Sequence, residues 1–361
     1  MKEALSSGSY SPDDVIFLLK LINNELKEMD TFEREQAIQK GVSYSNMLPI
    51  EYEPSEEYVQ IFMKTLEETK EKIATLTAVL SEKIIKKRGS KLILVSLARA
   101  GTPIGILVKR FIKYKYEIDL PHYSVSIIRE AGLDENAVKF MIEKHGHSNI
   151  QFIDGWTGKG VIKNTLENSC ESFKNKYGIE LNSDLAVLAD PGRICSTYAT
   201  REDFLIPNAC LNSTVSGLMS RTVLNKDIIG EDDFHGSKFY QSLIKKDLSQ
   251  YYVDTISQSF NLTLHEIEYE CEEPDRRGLK DIEKIKAQYD IEDINFIKPG
   301  VGETTRVLLR RVPWMILVNT MDNPNLEHIY RLAKEKGIPI KIIESKSYSC
   351  FGLIKQLRGR G

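Results

Sequence analysis

Asn149-Ile150-Gln151-Phe152-Ile153-Asp154-Gly155-Trp156-Thr157-Gly158-Lys159-Gly160-Val161-Ile162 reads as a buried strand ending in one acid, then a glycine-rich turn, then the start of a helix. Glycines let a backbone approach an anion, and a helix N-terminus offers unsatisfied N–H groups with a partial positive charge. A strand-end carboxylate can hold sugar hydroxyls or a magnesium ion. The combination suits a sugar phosphate. A second loop of the same build lies upstream, where Arg99, Ala100, Gly101 and Thr102 follow the apolar run Leu92–Leu97 and Pro103 falls in a first helical turn. Two phosphate-sized loops imply a substrate with two phosphate ends, although a tight strand-to-helix turn also favours Gly and Pro on steric grounds alone.

Working outward, apolar runs alternate with helical periodicity. Strands are expected at 92–97, 123–128, 150–153 and 185–189, and helices at 103–115, 134–144 and 161–176. That alternation specifies a parallel α/β sheet, whose ligands sit beyond the carboxyl ends of its strands, where both glycine loops fall. Residues 13–29 show helix spacing through Val15, Leu18, Leu19 and Ile22. From Ser55 to Lys87, Val59, Phe62, Leu66, Ile73, Leu76, Leu80 and Ile84 form the apolar stripe of a long amphipathic helix, expected to cover a sheet or a homodimer seam. The expected organisation is a helical N-terminal cover over 1–88 and an α/β domain over 89–270 with an irregular insert at 190–262. A Pro/Gly- and charge-rich linker follows at 271–284, then a small α/β domain at 285–361 with helices at 281–289, 303–311, 325–336 and 350–357 and strands at 294–297, 314–318 and 338–343.

With 361 residues, 41% hydrophobic and 28% charged, the chain is long enough for two or three domains and has the balance of a soluble globular protein. A net charge of -3 argues against a protein that coats nucleic acid along its whole surface. The charge is uneven: residues 285–361 carry 13 Lys and Arg against 8 Asp and Glu, which suits an RNA-binding module or a merely solvated basic face. Five scattered cysteines without CxxC spacing indicate neither a disulfide framework nor zinc, and reduced thiols fit the cytoplasm. No leader and no membrane span are expected.

Nucleotide motifs fail at the first-quoted loop. A Walker A loop needs glycine where Ile153 stands and Ser or Thr where Gly160 stands, and GxGxxG is absent. The two loops together resemble those of type I phosphoribosyltransferases. The resemblance implies phosphoribosyl pyrophosphate (PRPP) as substrate with magnesium. Arg99, Ala100, Gly101 and Thr102 would face pyrophosphate, Asp154 the ribose hydroxyls, and the turn Gly155, Trp156, Thr157, Gly158, Lys159, Gly160 the 5-phosphate. Arg99, Asp154 and Lys159 are the expected catalytic groups. His122 and Arg129, near the next strand end, are candidates over the substrate. The family pattern has two adjacent acids and a longer turn, whereas here Gly155 follows the single acid. Asp190, ending the strand 185–189, is a candidate replacement as ribose or magnesium ligand, or else a turn-forming residue before Pro191.

More specifically, His122–Arg129, Asp154–Gly160, Thr200–Pro207, Thr214–Leu218 and Phe234–Gly236 resemble the phosphoribosyltransferase-like proteins of bacterial tellurite-resistance and stress gene clusters, a family also labelled cysteine protease StiP, over roughly residues 10–260. That label asks for a thiol and a base, Cys195 or Cys210 with His122 or His235; each thiol also reads as a packed structural cysteine. His145 and His147 have metal-ligand spacing without a third ligand nearby. His265 and His328 are expected at the surface.

Residues 292–357 resemble pelota-type RNA-binding domains of the ribosomal L7Ae-like kind, through Lys298–Arg306, Lys336–Pro339, Ser347–Ser349 and Gly352-Leu353. The resemblance implies RNA at the turn Gly300, Val301, Gly302, Glu303 and the following helix, with Lys298, Arg306, Arg310 and Arg311 on phosphates. Gly302 stands where a base-reading Asn is usual. A docked domain with a basic face is the competing reading. Three functions follow: a phosphoribosyltransferase with an RNA-binding module, a cysteine peptidase, or a non-catalytic RNA-binding or ligand-sensing protein.

Overall fold

A computed structural model describes residues 6–22, 26, 28–30, 33, 36, 37, 41–261 and 273–356. Its centre is a six-stranded sheet of β1 (Ile16–Leu18), β2 (Ile93–Leu97), β3 (His122–Val125), β4 (Ile150–Trp156), β5 (Leu185–Ala189) and β6 (Thr197–Thr200). The spatial order is β1-β3-β2-β4-β5-β6 and every neighbouring pair is parallel. β2 and β5 are buried along their whole length, as strands covered on both faces must be, which is why they read as unbroken apolar runs.

Alternate residues serve two cores. Leu94, Ile153, Ala186 and Leu188 face the layer of α1 (Glu56–Arg88) and α2 (Thr102–Tyr116), whereas Ile93, Val95, Phe152 and Val187 face α3 (Glu135–His145) and α4 (Val161–Tyr177). Local signals set the helix ends: the Asp134 side chain accepts from the amides of Asn136 and Ala137 to start α3, and Gly146, at φ 69°, stops it. The long helix α1 covers the sheet, burying Phe62, Leu66, Ile73, Leu80 and Ile84 against that core. The insert after β6 is mostly irregular, adds α5 (Ser249–Ser257), and buries Phe204, Leu205, Ile206, Ala209 and Val215.

The small domain contains α6 (Arg277–Gln288), β7 (Ile297–Pro299), α7 (Val301–Arg310), β8 (Pro313–Val318), α8 (Glu327–Glu335), β9 (Ile340–Ile342) and β10 (Cys350–Ile354). Its sheet runs β7-β10-β8-β9, with β10 antiparallel to both neighbours and β9 parallel to β8.

Several expected elements differ. The described residues of 13–29 do not form the expected helix: residues 16–18 are an edge strand paired with β3, and Phe17 and Leu18 are buried on opposite faces of the sheet. The N-terminal segment therefore belongs to the sheet as well as to its cover. Residues 350–354 form an inner strand of the small domain's sheet rather than a helix. All five are buried, and Gly352 lets the sheet approach α7 so closely that a Cβ there would lie 3.0 Å from Val307 Cβ. The expected linker is helical from Arg277 onward. The strand expected at 123–128 is broken, since residues 127–128 turn away to pair with 132–133. Among the described residues no helix is long and apolar enough to cross a membrane.

Candidate functional site

The two glycine loops leave neighbouring strands at the same end of the sheet and touch. A Cβ on Gly101 would lie 2.7 Å from Ile153 O and 3.0 Å from Asp154 Cα, so only glycine permits this approach. Gly160 takes φ +80° to open α4, whose first amides receive no side-chain cap. At Gly158 the nearest neighbour of an added Cβ would be Pro299 Cγ at 3.7 Å, so packing alone does not require glycine there. Asp154 stands between the loops. Burial pushes its carboxyl up to about 7, against the opposing pull of the Gly155 amide and Arg306.

Other expected site residues have different occupations. Asp190 is fully buried, and its carboxylate accepts from the amides of Ile194 (2.9 Å) and Cys195 (2.8 Å), from the Thr157 hydroxyl and from Arg201. Four internal donors surround it, so it braces the turn rather than facing a ligand beside Asp154. Thr102 is likewise turned inward, sharing a 2.8 Å bond with Ser124. Arg99, at 15% side-chain exposure, donates to Met219 O and Asn212 Oδ1, both at 2.9 Å, and lies 3.7 Å from Glu51. It ties the first loop to the insert. His122 lies inside the sheet instead of over the site, its ring nitrogens 2.7 Å from Ser96 Oγ and 2.8 Å from Asp14 O, and burial pulls its pKa down to about 4. Arg129 donates to Asn295 and lines a cleft of about 290 Å³ between the 127–133 hairpin and α4, floored by Leu133 and Phe173.

The small domain sits on the second loop. Lys159 Nζ donates to Ile294 O (2.7 Å) and Ile297 O (3.3 Å), and burial together with Lys298 and Arg129 pulls its pKa down to about 7. The Tyr348 hydroxyl donates to Gly158 O at 2.9 Å. The Arg306 guanidinium stacks 4.7 Å from the Trp156 ring and lies 3.1 Å from Glu303. Arg310, expected on RNA, donates to Cys210 O at 3.0 Å. Gly302 abuts Trp156 and Ala209, each 3.5 Å from where its Cβ would be. The face of α7 expected to meet RNA thus meets the large domain, because its arginines are matched by carbonyls and an aromatic ring there. Lys298 flanks this contact, and Arg311 follows α7 as its C-cap.

Two residues of this site went unread in the sequence. Asp203 accepts from Val301 N (2.8 Å) and Ser349 N (2.7 Å), capping α7 from the other domain, and burial lifts its pKa to about 6. Asn208, 2% exposed, donates to Ala100 O at 3.2 Å, while its Oδ1 is buried without a partner. An acid immediately before the apolar run Phe204-Leu205-Ile206 was the available signal for Asp203.

The cysteines at 170, 195, 210 and 350 are free and buried; Cys271 and His265 lie outside the described residues. Burial pushes Cys210 up to about 12, and burial with Asp190 lifts Cys195 well above the ordinary thiol range. His235 bonds Ser126 Oγ at 2.8 Å. His328 is half-buried against Thr305 rather than at the surface, and His145 bonds Tyr123. No group of three or more metal-ligating side chains exists among the described residues.

Comparison with known proteins matches residues 8–257 to the family described as tellurite-like stress resistance cysteine protease StiP, and residues 276–356 to the PELOTA RNA binding domain. The protein named cysteine protease StiP from Acinetobacter baylyi is 31% identical, the alignment covering 98% of this chain and 95% of that protein. Among solved structures, the xanthine-guanine-hypoxanthine phosphoribosyltransferase of Helicobacter pylori aligns with 39% of this chain and 80% of its own at 16% identity and a TM-score of 0.25. The hypoxanthine phosphoribosyltransferase of Trypanosoma cruzi aligns with 36% and 77% at 12% identity and a TM-score of 0.27. By the match over residues 8–257 and the near full-length relative, the chain belongs to the StiP family of tellurite-like stress resistance proteins.

Proposed function

We propose that the large domain binds a sugar phosphate of the PRPP kind at its paired glycine loops and transfers the phosphoribosyl group to a nitrogen nucleophile. The carrying observation is the contact between the loops around Asp154, with Gly101 against Ile153 O and Asp154 Cα. In the reaction a nitrogen nucleophile forms a bond to C1 as the C1–O bond to pyrophosphate breaks, and the nitrogen's proton passes to the departing pyrophosphate or to solvent. Asp154, when ionised, accepts from the ribose hydroxyls, and the uncapped amides at the start of α4 meet the 5-phosphate. Arg99 and the amide of Ala100 lie at the loop that would take pyrophosphate, the amides of Gly101 and Thr102 being bonded to Leu97 O and Arg99 O, and Asp190 holds Thr157 and the turn in place. Rate then comes from positioning and charge stabilisation. Magnesium would be held by Asp154 with the substrate's own oxygens, since such ions need only one or two protein carboxylates, and would neutralise charge on the leaving pyrophosphate.

The curated relative is named a cysteine protease. Geometry gives that activity less support here, as the ring nitrogens of His122 bond Ser96 and Asp14 and the thiols of Cys195 and Cys210 are buried. RNA binding by residues 276–356 rests on the domain match. Titration calorimetry with PRPP and magnesium is the test. Binding that needs magnesium and weakens at least roughly tenfold in Asp154→Asn is expected; no magnesium-dependent binding, or unchanged binding in the variant, removes the basis of the reading.

A further inference from the structure

We infer that the C-terminal domain is a built-in plug of the second glycine loop, so that its docked position and a phosphate-bearing ligand exclude each other; this rests on the sugar-phosphate reading of that loop. Two of the loop's polar groups are already engaged by the small domain, Lys159 Nζ with the carbonyls of Ile294 and Ile297 and Gly158 O with the Tyr348 hydroxyl. Beside them stands a negative group. Glu303 lies 3.1 Å from Arg306, and although burial works against its charge, Arg306, Lys298 and Lys159 hold it below the ordinary carboxyl range. A carboxylate set among cations at the entrance of an anion loop occupies electrostatic ground that a phosphate would take. The seam bounded by Trp156, Thr157, Asp203, Gly300, Gly302 and Glu303 leaves about 10 Å³. Ligand sites hold several hundred cubic ångströms, on the order of 300 or more. That seam adjoins the turn through Trp156 and Thr157, and the small domain bonds Gly158 O and Lys159 directly, so a sugar phosphate reaches the turn as the domain moves away.

The docking is fixed by groups outside the loop, which makes it separable from ligand binding. Asp203 caps α7 through Val301 N and holds Ser349 N, Arg310 reaches Cys210 O, and Arg276 N donates to Arg193 O at 3.0 Å. Ligand affinity falls by the fraction of molecules that are open, and loosening the dock restores it.

Hydrogen exchange and PRPP–magnesium calorimetry on the full chain, on Asp203→Ala and on Tyr348→Phe test the inference. The amides of residues 158–161, beneath the docked domain, should be protected in the wild type and exchange roughly tenfold faster in Asp203→Ala, with Tyr348→Phe intermediate, and PRPP affinity should rise in the same order by up to roughly tenfold. Unchanged exchange in both variants, with native circular dichroism, overturns the plug. Faster exchange with PRPP affinity equal in all three forms overturns the competition alone. Faster exchange without PRPP binding by any form overturns the sugar-phosphate reading and the competition resting on it.

Discussion

Asp154, the carboxyl between the two glycine loops, has its pKa lifted to about 7 by burial. Below that pH it is protonated and cannot accept from two sugar hydroxyls or meet a cation, so PRPP affinity should fall by up to about tenfold per unit below pH 7 and level off above pH 8. Calorimetry across pH checks this, and Asp154→Asn should lose the fall that Asp154 causes below pH 7. His122 was legible as a polar residue near a strand end, but not as a core group. Its nitrogens are matched by Ser96 and the Asp14 carbonyl from segments far apart in sequence. His122→Ala should cost roughly 2–3 kcal/mol in urea unfolding while leaving PRPP affinity unchanged. Because folding lowers the His122 pKa to about 4, its contribution is complete above the unfolded value near 6.5 and declines as pH falls towards 4. Burial also raises the thiols of Cys195 and Cys210, so iodoacetamide at pH 7 should modify neither in the native protein. Rapid labelling that disappears in Cys195→Ser would favour the peptidase chemistry instead.

The strand–turn–helix around Asp154 was legible because each part carries its own local signal: an apolar run, glycines, then helical spacing. At Gly160 the signal is steric, since φ +80° suits glycine alone. Gly160→Ala should destabilise the fold by about 1–2 kcal/mol in thermal or urea unfolding and weaken PRPP binding through the displaced α4 amides. Residues 16–18 and 350–354 were misread as helix for a common reason. Short apolar runs buried on both faces have no period of their own, and their partners β3, β7 and β8 lie far away in sequence. Asp190 was legible as a second strand-end acid, but its four donors come from the turn at 194–195, Arg201 and Thr157, a closure that only the folded chain reveals.

At the scale of the whole molecule, the two domains were separable by charge and pattern, whereas their contact was not. It depends on Asp203 meeting backbone amides in α7 and beside β10, and no sequence spacing encodes a cap across such a distance. The docked face carries Arg306 and Arg310 inward, so a short single-stranded RNA should bind the wild type weakly and more tightly, with a steeper salt dependence, in Asp203→Ala. Filter binding over a salt series measures both. Whether the paired loops hold a sugar phosphate is decided by a crystal structure of the full chain with PRPP and magnesium. The 5-phosphate is expected on the amides of 158–161, the ribose hydroxyls on Asp154 and the pyrophosphate at 99–102, with the small domain lifted from Gly158; PRPP bound away from both loops, or within the closed seam with every interdomain bond intact, would contradict a sugar-phosphate site there.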